Sequence, residues 1–106
     1  MKLLTKELEK KFPALYANED KKPEEVKIIA KFFNPTGVGN WYATEYDPEQ
    51  RLFFGYACLG DRHCAELGYF SQDELEEFRG QFGLGIERDL HFGDHTLAEV
   101  MKNPFM

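Results

Sequence analysis

The hydrophobic and polar positions change period several times along the chain, and each change marks an element. Val26, Ile28, Ala30 and Phe32 alternate with Lys27 and Lys31, which predicts a strand over Val26–Phe33. Ile29 and Phe33 make its second face partly apolar, as in a strand covered on both sides. Trp41–Tyr46 and Arg51–Leu59 predict two more strands, set off by the turn clusters Asn34–Gly39 and Asp47–Gln50. Turns this short favour an antiparallel meander. Ile86, Arg88, Leu90 and Phe92 alternate with Glu87, Asp89 and His91, predicting a last strand over Ile86–Phe92.

Helix signals lie between these strands. Thr5 is placed to cap a short helix carrying Leu8 and Phe12, which Pro13 ends. Glu66–Phe70 leads to Ser71 and Glu74, which have the spacing of a capping box. Asp73 and Glu74 put negative charge at the helix start and Arg79 puts positive charge at its end. Leu75 and Phe78 share one face, and Gly80 supplies a left-handed stop. Thr96 and Glu99 repeat the capping spacing before Leu97, Val100 and Met101, with Pro104 as the limit. The expected architecture is one α+β domain over residues 1–106, an antiparallel sheet of about four strands with short helices packed on it.

Composition narrows the function classes. Ten Phe in 106 residues predict a ring-rich core rather than a disordered chain. No apolar run approaches the roughly 18 residues of a membrane span. The first residues lack the apolar stretch of a secretory signal, and two cysteines make no disulfide framework, so a cytoplasmic protein is expected. The net charge of −6 is uneven: residues 1–40 hold eight Lys against six acids, and residues 41–106 hold five basic groups against thirteen acids. That acidic part disfavours direct nucleic-acid binding and suits a basic protein partner, including one that itself binds nucleic acid.

Candidate chemistry is sparse. Cys58, His63, Cys64, His91 and His95 include the permissible His-x-x-x-His spacing but no paired cysteines, so a zinc site is not expected. Cys64 has acidic neighbours, Asp61 and Glu66, which oppose thiolate formation. Glu45, Asp47, Glu66, Glu87 and Asp89 form a carboxylate set in which Glu87 and Asp89 share a strand face. A structural ion-pair network of Glu45, Arg79, Glu87, Arg88 and Asp89 is the expectation for it, with Glu45 or Glu66 as partner to an inward Arg88. The alternative is a small metal-dependent hydrolase using Glu87, Asp89 and a histidine. The glycines of Gly80–Gly85 follow a helix and precede a strand, the reverse of a phosphate-binding loop. Trp41, Tyr42, Tyr46, Phe53 and Tyr56 would serve base stacking only if a sheet face displayed them beside positive charge.

A run of short strings resembles the DUF2958 family, a domain of unknown function. They are Lys2-Leu3-Leu4-Thr5, Pro13, Leu15-Tyr16-Ala17, Trp41-Tyr42-Ala43-Thr44-Glu45, Phe53-Phe54-Gly55, Glu66 to Ser71, Glu74-Leu75, Arg79-Gly80 and Ile86 to Leu90. The resemblance implies a small bacterial or phage protein of mobile elements and carries over no catalytic residue. Cys58, His63, Cys64 and His95 lie outside it. The functional expectation is therefore a non-enzymatic, acidic interaction protein without cofactor or metal. It would inhibit a host nucleic-acid-acting defence complex, of the anti-CRISPR or anti-restriction type, by protein binding. Glu66, Asp73, Glu74, Glu76 and Glu77 are the candidate contact residues.

Overall fold

Antiparallel pairing of neighbours in the chain sets the frame of the computed structural model, which describes residues 2–106. Strands β1 (Ala30–Phe33), β2 (Asn40–Asp47), β3 (Leu52–Cys58) and β4 (Glu66–Ser71) form a meander, and β5 (Glu87–Arg88) returns beside β1. The sheet order is β4-β3-β2-β1-β5, so β4 and β5 are its edges. Helices α1 (Lys6–Glu9), α2 (Gln72–Glu77) and α3 (Leu97–Lys102) complete the α+β fold.

The centre of the sheet is buried on both faces, which explains why its inner strands are apolar on both sides. One face carries Leu3, Leu4, Phe32, Ala43, Tyr46, Phe53, Leu75 and Ile86, with Leu8 and Phe12 packed against them. The other carries Val26, Ile28, Tyr42, Tyr56, Leu97 and Val100. A register shift between Ala43 and Glu45 is decisive, because Thr44 is the extra residue of a β-bulge. It returns Tyr46 to the Phe53 face and sends the buried Glu45 to the opposite one.

The structure corrects several expectations. The sheet has a fifth strand, β4, where only a helix entry was read. β1 begins at Ala30 because the Ile28 N–H donates to His95 O, and Lys27 bridges Thr96, not β2. The strand expected over Ile86–Phe92 shortens to β5, since Asp89 Oδ1 accepts the His91 N–H and turns the chain; Leu90 is exposed. Gly80 has φ −94°, so it is not a left-handed stop. Instead Arg79 donates to the carbonyls of Glu76 and Phe78 at the helix end. The capping oxygens of Thr5, Ser71 and Thr96 accept from Leu8, Glu74 and Glu99, as their spacings predict.

The C-terminal segment docks through three polar side chains, one of them Asn40, whose Nδ2 donates to Pro104 O at 3.2 Å. Lys31 donates to the Met106 main-chain oxygen and sits 3.7 Å from the Asp89 carboxylate. The fully buried Tyr42 hydroxyl donates to Pro104 O at 2.8 Å. Burial, then the nearby Cys58 and Asp89, raises the Tyr42 phenol above its ordinary range. Unfolded tyrosine therefore ionises first. This contribution to stability is complete below about pH 10 and falls as the pH rises beyond it. Denaturation midpoints measured across alkaline pH are expected to decline, and Tyr42→Phe is expected to flatten that decline.

Candidate functional site

Helix α2 is held onto the sheet by its first turn. The Gln72 N–H donates to Arg51 O at 2.9 Å, the Tyr46 hydroxyl donates to Gln72 Oε1, and Leu75 is buried beneath. With Gln72 and Leu75 inward, helix geometry divides the acids between two flanks. Asp73 and Glu76 face Arg51, whose guanidinium lies 2.6 Å and 2.9 Å from their carboxylates. Glu74 lies on the other flank with Phe78, one turn on, and Glu77 is exposed. The five candidate contact residues thus do not form one uniform patch: Arg51 engages two of them.

Beside the Glu74 flank runs an open groove of about 490 Å³. Trp41, Ala57, Gly68, Phe70 and Leu75 line it, and Glu66 and Glu74 supply its carboxylates. The small residues Ala57 and Gly68, paired across the β3–β4 ladder with Glu66 and Gly55, leave this space. Apolar side chains stand exposed along it, with Val38 at 68%, Leu59 at 57% and Phe78 at 41% accessibility. Among the described residues, Glu66 and Glu74 have no ion-pair partner. An apolar trough with unengaged carboxylates suits a ligand that is itself both apolar and cationic.

The other candidates are dispersed. Both Glu45 oxygens accept backbone N–H groups, from Tyr16 at 2.8 Å and Asn18 at 2.9 Å. Those bonds hold Tyr16 at φ +71°, a conformation that non-glycine residues rarely adopt, so Glu45 is occupied as a loop anchor. Asp47 caps its own turn through Glu49 and Gln50. Arg88 donates to the Leu3 carbonyl at 2.7 Å and the Lys2 carbonyl at 3.2 Å, which ties β5 to the N-terminal segment. Asp89 faces Lys31, and Glu87 pairs in register with Phe33. Cys58 is buried, with Sγ near the Gly60 and Asp61 carbonyls, while Cys64 is exposed. His95 bonds Glu99, whose carboxyl is held below its ordinary range by that bond. Among the described residues no three His, Cys, Asp or Glu side chains gather as a metal site. Tyr42, Tyr46, Phe53 and Tyr56 are buried, so the sheet displays none of them for base stacking.

Sequence reading missed the groove, the Arg51 clamp and the open edge of β4. The signal for the last was weak: Tyr69 and Phe70 favour a strand, while Glu66 and Gly68 disfavour one. No helix among the described residues is long and apolar enough to cross a membrane. No curated protein and no solved structure matches the chain. Residues 3–103 match the family described as Protein of unknown function (DUF2958), and the chain belongs to that family.

Proposed function

We propose that this chain works without catalysis, by binding another protein through the surface that β4, α2 and the groove between them create. The observation that carries this reading is the groove itself: exposed apolar side chains beside Glu66 and Glu74, two carboxylates with no ion pair among the described residues. Complementary charge steers encounter, selects partners and contributes salt-sensitive affinity, and the apolar centre adds to it. The net charge of −6 favours a basic partner.

The concrete form we propose is a phage or mobile-element inhibitor of a nucleic-acid-acting defence complex. A channel built for phosphates presents Lys and Arg, and carboxylates from this face would compete with nucleic acid there. Affinity capture from the host at low salt, followed by binding measurements on the recovered complex, tests it. The variant Glu66→Lys/Glu74→Lys/Glu77→Lys changes exposed side chains, and reversing Glu74 at the α2 start is expected to cost about 1 kcal/mol of stability while leaving the chain folded. Its affinity is expected to drop by about a hundredfold or more, since like charges now meet. A variant that binds the recovered complex as tightly as the parent chain would sink the reading.

A further inference from the structure

We infer that the outer edge of β4 receives a strand from the partner, a cationic segment that extends the sheet by one. The inference rests on the protein-binding reading above and specifies how the partner is held. The bond from the Gln72 N–H to Arg51 O fixes the phase of the β3–β4 ladder. In an antiparallel ladder, residues alternate between facing the partner strand and facing away. Phe70, Gly68 and Glu66 therefore turn their main-chain groups toward β3, and the Ser71 carbonyl is taken by the first turn of α2. Leu67 and Tyr69 turn both main-chain groups outward, and Ser71 turns its N–H outward. No main-chain group of another element among the described residues meets them.

Sheet edges invite pairing, and natural proteins block them with lysine, proline, bulges or very short strands. β5 follows that rule with two residues. β4 does not: it is six residues long, regular in register, without Lys or Pro, and exposes Leu67 at 44% and Tyr69 at 50%. An edge left open in this way is a docking element of the strand-addition kind.

Charge and pleat identify the occupant. Glu66, Gly68 and Phe70 share the groove face of β4, because they pair with Ala57, Gly55 and Phe53. On an added strand, the residue opposite Gly68 points its side chain into the groove. Its neighbour two positions away stands opposite Glu66. The segment recognised is thus an extended one carrying a bulky apolar residue and, two positions from it, Lys or Arg. A second copy of this chain suits the edge poorly. Antiparallel pairing of β4 with itself would bring together the Glu66 and α2 carboxylates of two chains that each carry −6.

The test uses the full chain and a blocked octapeptide in which Lys, Leu and Lys alternate with threonine. Binding is expected to protect the Leu67, Tyr69 and Ser71 amides from hydrogen exchange by about tenfold or more. The same peptide with Glu for Lys is expected to bind at least about tenfold more weakly. Leu67→Pro removes an outward N–H and leaves the β3 ladder intact, so it is expected to lose about tenfold in affinity. Leu67→Ala, which keeps that N–H, is expected to stay within about threefold. Binding without amide protection, equal binding by Leu67→Pro and the parent, or no binding at millimolar peptide would each overturn the inference. So would a concentration-dependent dimer that Leu67→Pro abolishes, since it would place a second copy on the edge. If Leu67→Pro still captures the native complex at full affinity, strand addition fails while the protein-binding reading stands. That reading fails on its own test, the charge-reversed variant.

Discussion

Gly55→Ala is expected to lower stability by about 4 kcal/mol or more. A Cβ built on Gly55 would lie 2.0 Å from the Tyr42 carbonyl oxygen and 3.0 Å from the Ala43 Cα. Both are backbone atoms of the adjacent strand, so no rotamer change relieves the overlap. Relief requires β2 and β3 to separate beside the Thr44 bulge, and that bulge sets which face Glu45 and Tyr46 occupy. Thermal or denaturant unfolding of the purified variant checks this. A midpoint close to that of the parent chain would show that the two strands do not approach so closely.

Phe53→Ala is expected to lower stability by about 3 to 5 kcal/mol, the range for removing a buried aromatic ring. Phe53 is fully buried, and its ring centroid lies 5.1 Å from Phe32, 4.7 Å from Tyr46, 5.5 Å from Phe12 and 5.5 Å from Phe70. Those four rings come from the N-terminal segment, β1, β2 and β4, so the cavity would loosen contacts among all of them. Phe53→Leu keeps much of the volume and is expected to lose less than half as much. Equal losses for Ala and Leu would mean that ring packing is not what holds this face.

The parts of the fold visible in the sequence are those set by local contacts. Thr5, Ser71 and Thr96 cap helices through partners three residues away, so their roles are legible in spacing alone. β2 and β3 show through because each is a run rich in aromatic residues set off by turn clusters. Other features depend on pairings remote in sequence. Val26 and Ile28 keep the predicted alternation, yet their main-chain partners are Leu97 and His95, so β1 starts later. Glu45 reads as one of several surface carboxylates until the bulge turns it under the Tyr16–Asn18 loop.

The candidate site was legible only in its acids. Asp73 and Glu74 announce a charged helix start, but nothing nearby in sequence reveals that Arg51, across the β3–β4 pairing, engages Asp73 and Glu76. The groove needs Gly68 beside Gly55, the turn around Val38 and the side of α2 together. The strings that carry the family resemblance include many structural positions: Leu3, Leu4, Tyr42, Ala43, Phe53 and Ile86 are all buried. They identify the fold well for that reason, and they say little about chemistry.

The Glu66 and Glu74 face is proposed to bind a basic protein. The most direct test is the dissociation constant of the purified chain for its captured partner, measured as salt is raised. Affinity is expected to fall steeply with salt for the parent chain, because screening weakens charge pairs at a solvated interface. An affinity that stays flat from low to high salt would contradict the proposal.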